Sequence, residues 1–284
     1  IGPQSVIKAD GLAAGKGVMV CDTKKQSFDA IDMMLGGGFG DASQTILVEA
    51  CITGPELSAF ALVDGEDVIW LATARDHKRA FDGNEGPNTG GMGAVSPSPD
   101  ETDSLREDIL ENILKPTAKG MVADGTPYTG ILYAGLMLTD EGPQVIEFNC
   151  RFGDPEAQVI LPRLESDLLE IIISHCNHKQ QEVQIAFSPD IAVTVVMANR
   201  GYPGTYKPNS IIRQLDTLSV QSDRFIYHSG TQRNEQGDVI ASGGRVLSIT
   251  ATAETYGAAR EKAYNTISQI KWENGFYRKD IGKF

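Results

Sequence analysis

The eleven residues from Ile146 to Glu156, IEFNCRFGDPE, constrain this chain more than any other stretch. Directly after the apolar pair Val145-Ile146, they set a carboxylate, an amide oxygen, a guanidinium and a second carboxylate within the eight positions from Glu147 to Asp154. Side chains alternate along a strand, so Glu147, Asn149 and Arg151 are expected on one face and Phe148, Cys150 and Phe152 on the other, toward the core. Two hard oxygen donors two residues apart suit Mg²⁺, which takes one or two protein ligands and leaves its other positions to water and phosphate. Arg151 beside them suits a phosphate. An edge strand with a solvated polar face and a surface ion pair carries the same local pattern, so the rest of the chain decides between the two.

With 284 residues, 41% hydrophobic and 22% charged, the chain is long enough for about two domains at roughly 150 residues each. No apolar run approaches the ~20 residues of a membrane span, and no signal peptide is evident, so no membrane partner is expected. Cys21, Cys51, Cys150 and Cys176 form no C-x-x-C pair, which fits a reducing cytoplasm better than a disulfide framework. A net charge of −13 argues against a nucleic-acid surface, so any anionic ligand has to be met by local cationic clusters. The opening Ile1-Gly2-Pro3, with a strand reached by Val6, reads as part of a longer protein.

In chain order, Val6 to Lys8 and Val18 to Cys21 read as paired strands around Asp10-Gly11-Leu12-Ala13-Ala14-Gly15-Lys16-Gly17. Small residues let backbone N–H groups approach a phosphate, and Lys16 supplies charge. The spacing is not that of a P-loop, and the segment leads into a strand, so it is either a glycine-rich flap over a nucleotide or a plain hairpin with an exposed Lys. Thr23 to Leu35 has helical spacing, with Phe28, Ile31, Met34 and Leu35 on the apolar side and Gly36-Gly37-Gly38 as its stop. A strand from Thr45 to Glu49 follows, and it runs into a turn at Ala50-Cys51-Ile52-Thr53-Gly54-Pro55-Glu56. Strands are expected over Leu57 to Val63 and Val68 to Ala72.

Two polar tracts come next. Asp76-His77-Lys78-Arg79 reads as either a cationic cluster or a solvated turn, and Gly86-Pro87-Asn88-Thr89-Gly90-Gly91-Met92-Gly93 is rich in backbone donors able to wrap an anion. Together they offer the charge and the N–H groups that a sugar phosphate needs. A helix over Leu105 to Val122, divided at Pro116, is read as packing. Ile131 to Leu138 is a buried strand and the hairpin partner of the Ile146 stretch, and the following helix is expected to start with Asp154 as N-cap and Pro155 in its first turn. His175-Cys176-Asn177-His178 is read as a solvated helix end rather than a zinc site. Beyond Gln184 the texture changes to short strands and one last helix, Glu254 to Ile270, which suggests a separate small α+β domain.

Taken together, VIKADGLAAGKGV, DHKRAFDG, GPNTGGMGAVSP, LYAGLM, IEFNCRFGDPEAQ, GYPG, GGRVL and YRKDIG resemble the phosphoribosylamine–glycine ligase family, also called glycinamide ribonucleotide synthetases, which are ATP-grasp enzymes of purine biosynthesis. The motifs recur in family order from residue 3 to residue 282. The resemblance implies an α/β (α+β) fold, with a two-subdomain ATP-grasp module over residues 1–184 and a small C-terminal α+β domain over 185–284. It implies ATP and Mg²⁺ or Mn²⁺ as cofactors, and glycine and phosphoribosylamine as small-molecule substrates joined through glycyl phosphate. Lys8 and Lys16 would bind ATP phosphates under the Gly11, Gly15 and Gly17 loop. Glu49, Ala50, Cys51 and Ile52 would form the adenine hinge, with Glu56 on the ribose. Glu147 and Asn149 would hold the metal, Arg151 the transferring phosphate and Asp154 the glycine ammonium. Asp76, His77, Lys78, Asn88, Thr89, Gly90, Gly91 and Gly93 would serve the acyl phosphate and the sugar phosphate.

Two departures stand out. The family hinge usually reads Glu-Glu-Phe-Leu and then Gly-Glu-Glu, where this chain has Glu49-Ala50-Cys51-Ile52 and Gly54-Pro55-Glu56, so main-chain contacts survive and side-chain contacts from Ala50 or Pro55 do not. The family also has a whole N-terminal domain that helps to build the amine site. Its absence from this sequence makes that domain an expected partner in the same polypeptide. A nucleotide-binding remnant without turnover and an ATP-grasp ligase for another carboxylate are the competing readings.

Overall fold

The computed structural model describes residues 4–13, 17–215, 218 and 221–284. By compactness the chain divides at Gly54/Pro55 into two units.

In the first unit, β1 (Ser5–Ala9) lies between β2 (Val18–Cys21) and β3 (Ile46–Ala50), both antiparallel to it. The expected hairpin is therefore present. Helix α1 (Lys24–Met33) starts at Thr23, whose hydroxyl accepts from the Gln26 N–H while the Gln26 side chain accepts from the Thr23 N–H, a reciprocal cap of the first turn. A wider turn over Met34–Gly38 ends it, with Gly37 at a φ of 90° that a residue with a Cβ rarely adopts. Ile7, Cys21, Ala30 and Met34 form the buried cluster, with Met19, Ile31, Phe39 and Ile46 against it. Phe28 and Leu35, expected on the apolar side of this helix, are exposed instead.

The second unit is built on one sheet. It contains β4 (Glu56–Asp64), β5 (Asp67–Asp76), β8 (Gly93–Ser96), β9 (Thr129–Thr139), β10 (Gly142–Asn149), β11 (Ile191–Asn199), β13 (Arg224–His228) and β16 (Arg245–Ala253), in the order β10-β9-β4-β5-β8-β11-β16-β13, with β17 (Gly275–Phe276) beside β11. The hairpin of β6 (Arg79–Phe81) and β7 (Glu85–Asn88) stands apart, as does a small sheet of β12 (Ser210–Ile211), β15 (Val239–Ala241) and β14 (Thr231–Arg233). Among the described residues every strand pairing is antiparallel, and the large sheet buries apolar side chains on both faces.

Alternation in β4 sorts its side chains. Leu57, Ala59, Ala61 and Val63 pack with Ile109, Leu114 and Ala118 of the helical segment formed by α2 (Asp103–Ile109) and α3 (Lys115–Ala123). Phe60 and Leu62 pack on the other face with Val159 and Ile160 of α4 (Ala157–Ile160). A third cluster lies under α6 (Tyr256–Gln269). Pro116 does not divide the 103–123 helix. One wide turn at Leu110–Leu114, in which the Lys115 N–H reaches the Leu110 carbonyl, carries the helix past the proline that has no N–H to give.

Several expectations are corrected here. Strand β5 runs on to Asp76, so that residue ends a strand instead of opening a turn. Of the three side chains expected in the core from the 146–156 stretch, only Phe152 packs there; Phe148 and Cys150 are exposed because β10 is the edge strand and ends at Asn149. Asp154 does not cap a helix: α4 begins at Ala157, whose neighbouring turn is closed by the Ala157 N–H on the Gly153 carbonyl, and the Asp154 carboxylate is given to Arg245. His175, at the end of α5 (Leu168–Cys176), is buried with its Nδ1 2.7 Å from Gln180 Oε1, so this helix end is not simply solvated. Apart from these corrections, strands from both sides of residues 184/185 share the sheet, β8 pairing with β11. Among the described residues no helix is long and apolar enough to cross a membrane.

Candidate functional site

The register of four strands places a polar row on one sheet face. Ser58 lies opposite Ala74 on one side and Gly135 on the other, and Gly135 lies opposite Glu147. Directly opposed residues share a face, and so do residues two apart. Asp76, Glu56 and Ser58, Tyr133, Glu147 and Asn149 therefore form one surface. Farther along β4 this face turns apolar at Phe60 and Leu62 beneath α4, so the row begins where the helical cover ends. Gly135 keeps the row open: a Cβ there would stand 3.3 Å from Glu147 Cγ.

The row is hydrogen-bonded in two groups. At the edge, Asn149 Nδ2 donates to Glu147 Oε1 at 3.2 Å, Arg151 Nη2 reaches Asn149 Oδ1 at 3.5 Å, and Arg151 Nη1 donates to the Phe152 carbonyl at 2.8 Å. The three groups expected to act together are therefore adjacent. A carboxylate and an amide oxygen, both hard donors on an exposed strand end, fit Mg²⁺ or Mn²⁺. Among the described residues no group of three or more His, Cys, Asp and Glu is arranged to hold a metal, so a cation here draws most of its ligands from water and phosphate.

In the interior, Ser58 Oγ lies 3.0 Å from Tyr133 Oη and 3.1 Å from Glu156 Oε1, and Glu156 is buried. Burial, together with the Glu156 charge, raises the Tyr133 phenol above its usual range, so it stays a donor. Lys78 Nζ pairs with Glu56 at 2.7 Å. Burial opposes the Lys78 charge, but Glu56, Asp76 and Glu147 outweigh it and hold the ammonium above its ordinary value. Burial, reinforced by Glu156 and Glu56 against the pull of Lys78 and Arg245, pushes the Asp76 carboxyl well above the usual carboxylate range. A small recess is lined by Glu56, Ser58, Asp76, Lys78, Tyr133 and Glu147.

The Asn88 to Gly93 tract folds back on this row. The Thr89 N–H and hydroxyl both donate to the Lys78 carbonyl, at 2.8 and 2.7 Å, and the Gly91 N–H donates to Thr89 Oγ1 at 3.0 Å. Asn88 is exposed at the end of β7, opposite Arg79. Gly93 is buried, and a Cβ on it would come within 2.6 Å of the Thr194 carbonyl, so packing against β11 fixes this glycine. His77 is not with Lys78. Its side chain leaves the other face of the chain and its ring stacks on Phe284 at 6.4 Å. Burial, with Arg278 and Arg75 nearby and only Asp280 opposing, lowers its pKa to about 4 and keeps it neutral.

Sequence reasoning gave no role to Arg245, Glu156, Ser58, Tyr133 or Tyr202. Arg245 Nη1 donates to the carbonyls of Gly90 at 2.5 Å and Asp154 at 2.9 Å, while Nη2 meets Asp154 Oδ2 at 2.9 Å. The Tyr202 hydroxyl accepts from the Gly90 N–H at 3.0 Å. The GYPG and GGRVL motifs were the signals: both residues sit in family motifs far downstream in the sequence, and only the fold brings them to the loop.

In the first unit, Lys8 Nζ pairs with Glu49 Oε2 at 2.6 Å, across neighbouring strands. Gly11 donates to the Ala42 carbonyl at 2.8 Å, and a Cβ on it would lie 2.6 Å from Ala42 Cα, so this glycine is needed for close backbone approach. Gly17 is buried and accepts from the Ala9 N–H at 2.8 Å. Ala50 ends β3, followed by half-buried Cys51 and Ile52. Gly15 and Lys16 lie outside the described residues.

Residues 2–157 match the model of the phosphoribosylglycinamide synthetase ATP-grasp (A) domain, and residues 192–284 match that of the phosphoribosylglycinamide synthetase C domain. The chain is 48% identical over 285 residues to the chloroplastic phosphoribosylamine–glycine ligase of Arabidopsis thaliana and 47% identical over 281 residues to that of Rhizobium meliloti. Each alignment takes in 99% of this chain, but only 54% and 66% of those relatives' lengths. Among solved structures, the phosphoribosylamine–glycine ligase of Thermotoga maritima superposes with a TM-score of 0.88 at 34% identity, covering 99% of this chain and 69% of that one. The biotin carboxylase domain of a Hydrogenobacter thermophilus 2-oxoglutarate carboxylase, at a TM-score of 0.70 and 15% identity over 98% of this chain and 59% of its own, shares the fold.

Proposed function

The chain belongs to the phosphoribosylglycinamide synthetase family, and on that premise we propose that the whole protein joins glycine to 5-phosphoribosylamine with ATP, giving glycinamide ribonucleotide, ADP and phosphate. Residues 1–184 form the ATP-grasp module in this reading and residues 185–284 the C-terminal domain. The observation that carries it is the connected set Glu147, Asn149 and Arg151, on the same face as Lys78.

In the first half-reaction a glycine carboxylate oxygen attacks the γ-phosphorus of ATP, a new O–P bond forms, the bond to the β-phosphate oxygen breaks and ADP leaves. In the second, the amine nitrogen of phosphoribosylamine attacks the glycyl carbonyl, phosphate leaves and the nitrogen loses a proton. The protein's part is positioning and charge neutralisation. Lys8, Lys16 and the Gly11 to Gly17 loop take the nucleotide phosphates, Glu49 to Ile52 the adenine edge and Glu56 the ribose. Glu147 and Asn149 hold Mg²⁺ or Mn²⁺, which when bound offsets phosphate charge. Arg151 orients the transferring phosphoryl group, and Lys78 with the Thr89-Gly90-Gly91 backbone receives the acyl phosphate. His77, being neutral and turned away, is left to support the loop. The amine site draws on part of the relatives' additional length, and a cytoplasmic location belongs to the same proposal.

The test uses the full-length protein. With MgATP and glycine it should release ADP, and hydroxylamine should trap the activated glycine as its hydroxamate; adding phosphoribosylamine should replace hydroxamate by amide. A protein that binds ATP yet yields neither product is a nucleotide-binding remnant, and the ligase reading is lost.

A further inference from the structure

The β6–β7 hairpin has little packing of its own. Its strands pair only with each other, and of residues 79–88 only Ala80 is buried. An isolated two-stranded hairpin is marginal in water, so its order has to come from contacts outside it. Segment 276–280 supplies them. Arg278, 3% exposed, holds Asp280 with two nitrogens, Nε on Oδ1 at 2.8 Å and Nη2 on Oδ2 at 2.7 Å, and its Nη1 donates to the Arg79 carbonyl at 3.1 Å. Asp280 Oδ2 also accepts from the Gly83 N–H at 2.9 Å, and Asp82 Oδ1 accepts from the Lys279 N–H at 2.6 Å. Phe81 adds a tilted ring contact with Phe276 at 6.4 Å. Burial opposes the Asp280 charge, yet Arg278 and the Gly83 N–H hold its carboxyl well below the usual carboxylate range. The holding segment is itself fixed on α6: Arg260 donates to the Ile281 and Lys279 carbonyls at 3.1 and 2.6 Å, and the Tyr264 hydroxyl donates to the Arg278 carbonyl at 2.7 Å. A continuous line of contacts therefore runs from a core helix to the exposed hairpin.

We propose that Arg278 and Asp280 are positioning residues: they latch the β6–β7 hairpin and, through its two ends, set Lys78 and the Thr89-Gly90-Gly91 backbone for the acyl phosphate. The proposal rests on the ligase reading above and deepens it. The hairpin leaves directly from Lys78 and returns directly to Thr89, whose N–H and hydroxyl close its base on the Lys78 carbonyl. A tilt of the hairpin therefore moves the ammonium and the N–H donors together. Arg245 and Tyr202 hold Gly90, beyond the hairpin; the latch is what reaches the chain between Lys78 and Thr89. Bonds to an ionised group are stronger than neutral ones, which suits the holding of an element with so little buried surface. The chemistry is sensitive to such placement, because a misplacement of about 1 Å from a remote change costs up to about 10²-fold in rate.

The experiment uses the full-length protein in the hydroxamate half-reaction with MgATP and glycine. Asp82→Ala removes the acceptor of the Lys279 N–H from an exposed turn and leaves the Arg278–Asp280 pair intact, so folding is spared. It should lower kcat about threefold to tenfold, the range that one hydrogen bond is worth, while the KM for ATP stays within about twofold. Asp82→Asn keeps an oxygen acceptor and should restore most of the rate. Asp280→Asn should act in the same direction, and combining it with Asp82→Ala should cost less than the product of the two, since both act through one hairpin. Amide hydrogen exchange over residues 79–89 should be faster in Asp82→Ala and unchanged in β4 and β9. Ile109→Val is the control: it loosens a core cluster that contains no residue of the hairpin, and should lower the thermal midpoint without lowering kcat. Faster hairpin exchange with unchanged kcat in Asp82→Ala overturns the positioning role and leaves the ligase reading intact. Unchanged exchange overturns the latch itself. A loss of kcat that Asp82→Asn does not restore, or that Ile109→Val reproduces, is an effect of general stability and overturns the proposal as well. Parent protein without any glycine-dependent product removes the ligase reading and this proposal together.

Discussion

Arg245 illustrates what single residues do in this unit. Its planar fork satisfies two carbonyls and a carboxylate that come from the Gly90 loop and the end of the Ile146 stretch, a geometry that a lysine's point charge does not reproduce. At the end of β5 the chain makes a second kind of choice, sending Asp76 and Lys78 into the row and His77 toward Phe284. His77 then has a measurable consequence for stability. Its pKa is about 4 in the folded protein against 6.5 ordinarily, so above pH 6.5 both states are neutral and the group is silent. Between 6.5 and about 4 the unfolded chain binds the proton and the folded one does not, so stability falls as pH falls, by ~1.4 kcal/mol per pH unit and about 3 kcal/mol in all. Unfolding free energies from denaturant titrations at pH 7 and pH 4.5 should converge for His77→Gln relative to the parent by roughly 2 kcal/mol. Parallel pH dependence in the two proteins would show that the imidazole is not held neutral.

Elements set the precision of the site, and the β9–β10 hairpin does most of this. Its register skips Ile146, a bulge between Val145 and Glu147, and thereby brings Glu147 opposite Gly135. Gly135→Ala would put a methyl 3.3 Å from Glu147 Cγ and 3.5 Å from its carbonyl, tight enough to push the side chain by a few tenths of an ångström without breaking the strand. The Mg²⁺ concentration for half-maximal ADP release should rise severalfold while the thermal midpoint moves by only about 2–4 °C. A fall in stability with unchanged metal dependence would separate Glu147 from the metal. This hairpin was legible in the sequence because strand alternation, a turn and chemical side chains coincide over a short stretch. The exposure of Phe148 and Cys150 was not, since alternation says which residues share a face and leaves open whether that face is covered. Nor was the helix running through Pro116, because the wide turn that absorbs it is a backbone adjustment with no residue signature. Arg245 and Tyr202 escaped for another reason: their partners at Gly90 lie more than a hundred residues away, and local pattern carries no information across that distance.

At the scale of the whole molecule, apolar burial is unequal between the two units. Among the described residues of 1–54 there is one cluster of four buried apolar side chains, Ile7, Cys21, Ala30 and Met34, while Val18, Val20, Phe28, Leu35, Leu47 and Val48 stay exposed. Residues 55–284 enclose three larger clusters on both faces of a nine-stranded sheet. Because small bodies bury a smaller share of their surface, the first unit has less to offset the entropy of ordering its backbone. Its three-stranded sheet has two edges and is held on one face by α1, with the Lys8–Glu49 pair adding a half-exposed contact of modest worth. Local opening should therefore cost less there than in the large sheet, which suits the nucleotide role proposed for Lys8 and its neighbours, since ligand-binding elements are drawn from the low-stability end of a protein. Amide hydrogen exchange gives the direct measurement. In the free protein the strands β1, β2 and β3 should exchange at least tenfold faster than β4, β9, β11 and β16, whose pairing lies inside the large sheet. MgATP should slow exchange in β1 and β3 and leave β11 and β16 unchanged, because a ligand adds protection where it touches an element whose opening is otherwise cheap. Equal protection in the two units would mean that the first is as tightly held as the second despite its small cluster. An equal nucleotide effect on β16 would assign the added protection to global stabilisation and take the nucleotide role away from Lys8 and its neighbours.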